Sequence, residues 1–241
     1  MKVDGPTGRL GGRRGKHVGR SGADAPLRRD ERKQRTREGL MDAALRLMQQ
    51  GRSFTGLGLR EITREAGVVP TSFYRHFRDM DDLGLSLVEE SAITLRRLLR
   101  EARRVGQPGP ELVRRSVEIY FAHVKQRPLE FLFIAGERSG GSPVIRKAIR
   151  REIDYFSAEL AQDVRHLGIM TDLSQRMTHL VCELVTTTML NAAGEVLDIK
   201  QPSGDEEAEL VEHYVRQLTI IFLGAMHWKQ SKSDMRPDMR P

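Results

Sequence analysis

Two short helical segments separated by Ala66-Gly67-Val68 constrain this chain more than any other feature. In LREITREAGVVPTSFYRHFRDMDDL, residues 59–83, the positions Leu59, Ile62 and Ala66 recur every three to four residues. They share one helical face and suit packing on a core. Gly67 supplies the left-handed or tight backbone that closes a helix without a Cβ penalty. Pro70 takes the first position of the next helix, where its missing N–H costs nothing. That second helix, Pro70 to about Phe77, is too short to persist alone in water. Neighbours must hold it, and Phe73 and Phe77, at i, i+4, are the expected anchors. Thr71, Ser72, Tyr74, Arg75 and His76 are left outside. This is the layout of a helix-turn-helix, and a donor-rich outer face is what entry into a DNA major groove requires.

The run from Ile62 through Ala66-Gly67-Val68 and Phe73-Tyr74-Arg75-His76-Phe77 to Leu83 resembles the TetR family of bacterial transcriptional regulators. The longer stretch AGVVPTSFYRHFRDMDDLGLSLVEES, with ERSG later at Glu137 to Gly140, resembles repressors of unsaturated fatty-acid synthesis, the FabR/DesT type. The resemblance spans roughly residues 30–228, strongest over the first fifty. It implies an all-α fold, an N-terminal helix-turn-helix DNA-binding domain followed by a larger helical ligand-binding and dimerisation domain. It also implies a homodimer on a palindromic double-stranded operator and a long-chain acyl-CoA, or another acyl thioester, as effector. There are departures. Met80 stands where most of the family has a phosphate-contacting Lys, and Gly58 replaces the usual Ser or Thr cap. Arg78 and Arg60 are the candidates to supply the missing phosphate contacts.

Charge is placed unevenly. Residues 1–38 hold 12 Lys/Arg against 5 Asp/Glu, a net of +7. The whole chain, 40 against 33, is also +7, so residues 39–241 balance at 28 against 28. Residues 1–27, with seven glycines and no periodicity, read as a disordered basic arm. Arg28, Arg29, Arg32, Lys33, Arg35 and Arg37 lie just before or within the first expected helix, placed for phosphate contact and a steep salt dependence. The DNA-binding set is therefore Arg35, Thr36, Arg60, Thr71, Ser72, Phe73, Tyr74, Arg75, His76 and Arg78. Thr71 and Ser72 face base edges, and Tyr74 and His76 face phosphates. Phe73 either contacts a thymine methyl or is a buried anchor.

Periodicity predicts a first helix over about 30–50, a fourth over about 81–104 with Arg96, Arg97 and Arg100 on a solvated face, and further helices at 110–126, 128–136, 143–167, 172–197 and 206–228. The domains are then 28–83 for DNA, 84–229 for ligand and dimer, and a flexible tail at 230–241. No 18-residue apolar run is apparent, so neither a transmembrane helix nor membrane association is expected. One cysteine, Cys182, excludes an intramolecular disulfide and fits a reducing cytoplasm.

Catalysis finds little support: there is no Gly-x-Ser-x-Gly elbow, phosphate-cradling glycine loop or paired His-Glu motif. His179, Cys182 and Glu183 share one helical face, but cysteine is commonly a small buried hydrophobe, so no metal is expected. The segment Leu129 to Ala135 is apolar on nearly every side and turns charged at Glu137-Arg138. With Tyr120, Phe131, Ile134, Tyr155, Phe156, Leu184, Thr188 and Met189 it suits either a core or an elongated apolar cavity. Arg138 is placed either at a ligand head group or in an ion pair with a carboxylate. Stripes of Met177, Val181, Leu184 and Thr188, and of Val211, Val215, Leu218, Phe222 and Ala225, are expected to be shared between core and a four-helix dimer seam. The runner-up is a regulator of the same fold that senses a drug or other hydrophobic compound.

Overall fold

A computed structural model of the chain describes Met1 and residues 29–105, 109–199 and 204–228. Nine α-helices occur among these residues, with a single turn of 3-10 helix and no strand. They are α1 (Arg29–Gln49), the 3-10 turn Phe54–Gly56, α2 (Leu59–Glu65), α3 (Pro70–Phe73), α4 (Met80–Val105), α5 (Pro110–Gln126), α6 (Pro128–Glu137), α7 (Pro143–His166), α8 (Gln175–Asp198) and α9 (Gly204–Met226). The expected helices are all present. The arm beyond Met1, Arg28, the Gly106-Gln107-Pro108 break, Pro202-Ser203 and the tail from 230 lie outside the described residues.

Prolines at the first position open α3, α5, α6 and α7, where no donor is lost. α3 is shorter than expected. After Phe73 the chain tightens into i→i+3 bonds, Arg75 N–H to Ser72 O at 3.2 Å and His76 N–H to Phe73 O at 2.9 Å. The cause is the next helix: Asp79 already caps α4, accepting the Asp82 N–H at 2.8 Å, while Asp82 accepts the Arg78 N–H at 2.9 Å.

Two apolar clusters build the core. The first joins Leu40, Ala43 and Leu47 of α1 to Phe54, Ile62, Phe73, Phe77, Leu83 and Leu87, and it takes in Phe133 of α6 and Ile145 and Ile149 of α7. The second joins Leu95 and Leu99 of α4 to α5, α7, α8 and α9. α4 thus runs through both, passing from one to the other between Val88 and Leu95. Its arginines are not merely solvated. Arg96 meets Glu152 at 2.9 Å, Arg100 meets Glu159 at 2.5 Å and Arg103 meets Asp163 at 2.7 Å, a ladder that ties α4 to α7. Arg97 alone of the expected trio is exposed without a described partner.

α8 corrects one expectation: by length and mean hydropathy, 1.3, it is apolar enough to cross a membrane. Val181, Cys182, Val185, Ala192, Ala193 and Val196 are buried against the second cluster.

Candidate nucleic-acid interface and ligand cavity

The turn between α2 and α3 follows from Gly67. Its φ of +67° lets the Val68 N–H reach Thr63 O at 2.9 Å and the Gly67 N–H reach Arg64 O at 3.1 Å, closing α2 with a Schellman motif. In place of a hydroxyl cap at Gly58, Glu61 reaches back to the Gly58 N–H at 2.9 Å. The Arg52 guanidinium, 2.8 Å away, followed by that N–H, holds the Glu61 carboxyl down at about 2.

On the outer side Thr71, Tyr74 and Arg75 are exposed, Ser72 and His76 half-buried. Tyr74, 65% exposed, is braced edge-on against Phe73 at 5.7 Å. Phe73 itself is fully buried, and this settles its two readings: it anchors the helix and offers no surface to a thymine methyl. Arg35, Arg60 and Arg75 are exposed with no acidic partner among the described residues. By contrast Arg37 pairs with Glu90 and lies over the Phe77 ring, and Arg78, though largely exposed, is held by Asp82 at 3.3 Å. Thr36 is half-buried and its hydroxyl donates to Arg32 O at 2.9 Å, so that hydroxyl is already engaged.

His76 links the cationic groups. Burial first, then Lys33, Arg37 and Arg75, press its pKa below the ordinary 6.5, and its Nδ1 is buried without a protein partner. His123, 4% exposed, is lowered likewise by burial and by Arg127. Below pH 6.5 the unfolded chain protonates these imidazoles while the native one does not. Stability present at neutral pH should therefore fall as the pH drops through the mid-sixes, levelling off once the native imidazoles titrate. Urea denaturation at pH 7.5 and 5.5 checks this. His123→Asn should flatten the decline, and an unchanged decline in that variant would remove His123 from it.

The larger unit carries a partly open cavity of about 530 Å³ between α4, α5, α7, α8 and α9, with α6 along one side. Tyr120, Phe131, Ile134, Phe156 and Met189 line it as expected. Tyr155 and Leu184 are instead about half exposed, and Thr188, half-buried, is not among the lining residues. On their helices the neighbouring positions, Phe156, Val185 and Met189, take the inward side. Much of the wall was not legible from the apolar segment Leu129–Ala135, because it comes from Leu95 and Leu99 of α4, Leu112 and Val117 of α5 and Leu218 of α9. Arg138 faces elsewhere: it donates to Asn191 Oδ1 at 2.9 Å and borders a smaller recess of about 170 Å³ beside α8.

Its chain neighbour Glu137 is the residue the sequence reading missed. Glu137 is 1% exposed and accepts the Phe54 N–H at 3.2 Å, joining the end of α6 to the 3-10 turn beneath the helix-turn-helix. Phe133, one helical turn earlier, packs edge-on against Phe54 at 5.3 Å. The signal was the i, i+4 spacing of Phe133 and Glu137, which puts them on one buried face. Ser142 and Asp81, 2.8 Å apart, add a second bridge between the units.

A helix-turn-helix with unpaired outward cations is thus built onto a helical body that carries an apolar cavity. Residues 40–87 match the family described as bacterial regulatory proteins, tetR family. Solved structures share the fold. A putative TetR-family regulator from Syntrophomonas wolfei is 15% identical with a TM-score of 0.65, over 79% of this chain and 96% of that one. The fatty acid degradation regulator FadR from Bacillus halodurans is 14% identical with a TM-score of 0.60, over 82% and 97%. FadR from Bacillus subtilis, solved in complex with stearoyl-CoA, is 16% identical with a TM-score of 0.60, over 78% and 98%.

Proposed function

We propose that this protein is a cytoplasmic homodimeric repressor of unsaturated fatty-acid synthesis genes that binds a palindromic operator and responds to a long-chain acyl thioester. The observation that carries the effector half is the apolar cavity: α6 borders it with Phe131 and Ile134 and reaches Phe54 with Phe133 and Glu137. A ligand that moves α6 acts directly on the helix-turn-helix. The stearoyl-CoA complex of a protein with this fold supports the ligand class. Residues 28–83 form the DNA-binding part and 84–229 the effector and dimer part.

The expected stripes divide between this chain's core and its surface. Val211, Val215, Leu218 and Ala225 are buried in this chain's own core. Leu184 of the expected stripe is exposed, as are Leu180 of α8 and Ile220, Leu223 and Met226 of α9, by 47–69%, and Leu223 and Met226 also border the cavity. These side chains are the seam of a four-helix contact with a second copy, which sets two recognition helices about one turn of DNA apart, ~34–36 Å. On the DNA face, Thr71 and Ser72 reach base edges, while Tyr74, Arg75, Arg60, Arg35 and Arg78 meet phosphates. Tyr74→Ala is expected to weaken operator binding roughly tenfold, the worth of one charge-assisted hydrogen bond, with fold and dimer intact. Fluorescence anisotropy on labelled operator reads it, and an unchanged affinity removes Tyr74 from the interface.

The decisive experiment titrates operator binding with matched saturated and unsaturated acyl-CoAs, with free coenzyme A as control. A tenfold shift needs only about 1.4 kcal/mol of differential affinity, within ordinary allosteric coupling. A second reading, a regulator that senses a drug or other hydrophobic compound, gains from one observation: the charged side chains lining the cavity are already paired within the protein. A shift by such a compound and by no acyl-CoA decides for that reading.

A further inference from the structure

The polar side chains lining the cavity are Ser91, Arg103, Ser116, Tyr120, Glu130, Glu152, Thr186 and Thr219 among the described residues. All but one are engaged. The four Ser and Thr hydroxyls donate to carbonyls one turn back, at 2.7–2.8 Å. Arg103 pairs with Asp163, Glu130 with Arg127 and Glu152 with Arg96, at 2.7–2.9 Å. The exception is Tyr120. It is 3% exposed, borders the cavity, and its hydroxyl has no partner in the protein. His123, one turn on, also keeps an unpartnered nitrogen, but it is not part of the cavity wall.

We infer that the Tyr120 hydroxyl is the specificity element of the cavity and that it recognises an uncharged hydrogen-bond acceptor, a carbonyl of the ester or thioester class, on an otherwise apolar ligand. A buried hydroxyl left unmade is costly, so a ligand acceptor that takes its proton gains a bond the empty protein lacks. A carboxylate is the wrong ligand group, because the lining holds no unpaired cation and an unpaired buried charge is strongly disfavoured. Burial also pushes the Tyr120 phenol above its ordinary range, which keeps it a neutral donor. The inference rests on the effector reading above for its site and narrows the ligand from any hydrophobic compound, or a free fatty acid, to an acyl carbonyl compound.

The test uses the full-length protein and three probes of equal chain length, methyl decanoate, decanoate and decane, at pH 7.5. Binding is read by displacement of an environment-sensitive dye from the cavity. Methyl decanoate should bind about five- to tenfold more tightly than decane, the range expected for one net hydrogen bond, and decanoate more weakly than the ester. In Tyr120→Phe the ester's advantage over decane should vanish while decane binds as before, and thermal stability should not fall, because the hydroxyl lost had no protein partner. A purely packing role for Tyr120 would shift ester and alkane together. Decanoate binding as well as the ester, an ester preference that survives Tyr120→Phe, or no binding of any probe overturns the inference. If the discrimination holds but no acyl-CoA shifts operator binding, the cavity chemistry stands and the acyl-thioester regulator reading fails.

Discussion

Replacing Phe73 by Ala should cost about 3–5 kcal/mol, the usual penalty for emptying a buried aromatic site. Phe73 has no exposed surface, and its ring packs against Phe77 at 5.5 Å and Tyr74 at 5.7 Å. α3 is only four residues long, far below the length that holds itself in water. Its orientation therefore comes from side chains that tie it to α1 and α2, with Phe73 at the centre. A domain has only about 5–15 kcal/mol of stability in total, so this loss should also release the recognition helix. The expected result is a large fall in the urea midpoint together with loss of operator binding. The second effect should exceed that of Tyr74→Ala, although Phe73 touches no DNA. A loss under 1 kcal/mol, or operator binding that survives intact, would show that something else holds α3.

The contrast between Phe73 and Tyr74 illustrates what was legible in the sequence. The starts of α3, α5, α6 and α7 and the end of α2 were, because Pro70, Pro110, Pro128 and Pro143 and the glycine at Gly67 act locally, through the φ they fix or permit. The outward cations Arg60 and Arg75 were legible too, since helical spacing separates them from Ile62 and Phe73. Whether Phe73 faced in or out was not, because that depends on α1 closing over it. The same limit applies to the cavity. Phe131 and Ile134 stood out in an apolar run, but Leu95, Leu99 and Leu112 look like any amphipathic stripe until α4 and α5 are set side by side. Tyr155 and Leu184 were assigned inward on residue type, and a helical rotation of about 100° per residue is enough to turn such a side chain outward. Glu137 was hidden for a different reason. Its partner, the Phe54 N–H, lies 83 residues away, and no local pattern points to a backbone group at that distance.

Gly84→Ala should destabilise the protein by about 1–3 kcal/mol, against the expectation for a glycine inside a helix. Taken alone, the exchange removes backbone freedom from the unfolded chain and favours the helix by roughly 0.5–1 kcal/mol. Here the added methyl has no room. A Cβ at Gly84 would stand 2.5 Å from Ile145 Cδ1 and 3.0 Å from Phe54 Cε1, and both of those side chains are buried. The collision should therefore outweigh the propensity gain. Ile145→Val deletes the atom nearest the clash, so Gly84→Ala should cost markedly less in that background. The coupling between the two changes, read from a double-mutant cycle of urea midpoints, isolates the contact from any general loosening of the core. On the reading proposed above, the site also matters for signalling. Gly84 is where α4 leaves the helix-turn-helix and crosses α7, while Phe54 is the residue that Phe133 and Glu137 of α6 hold from the other side. Forcing α4 away from Ile145 should shift the balance between DNA-competent and effector-bound arrangements, changing the effector's influence on operator affinity even though residue 84 touches neither ligand nor DNA. If Gly84→Ala instead raises the urea midpoint, helix propensity governs the position and the tight approach of α4 to α7 is not what sets the angle between the two units.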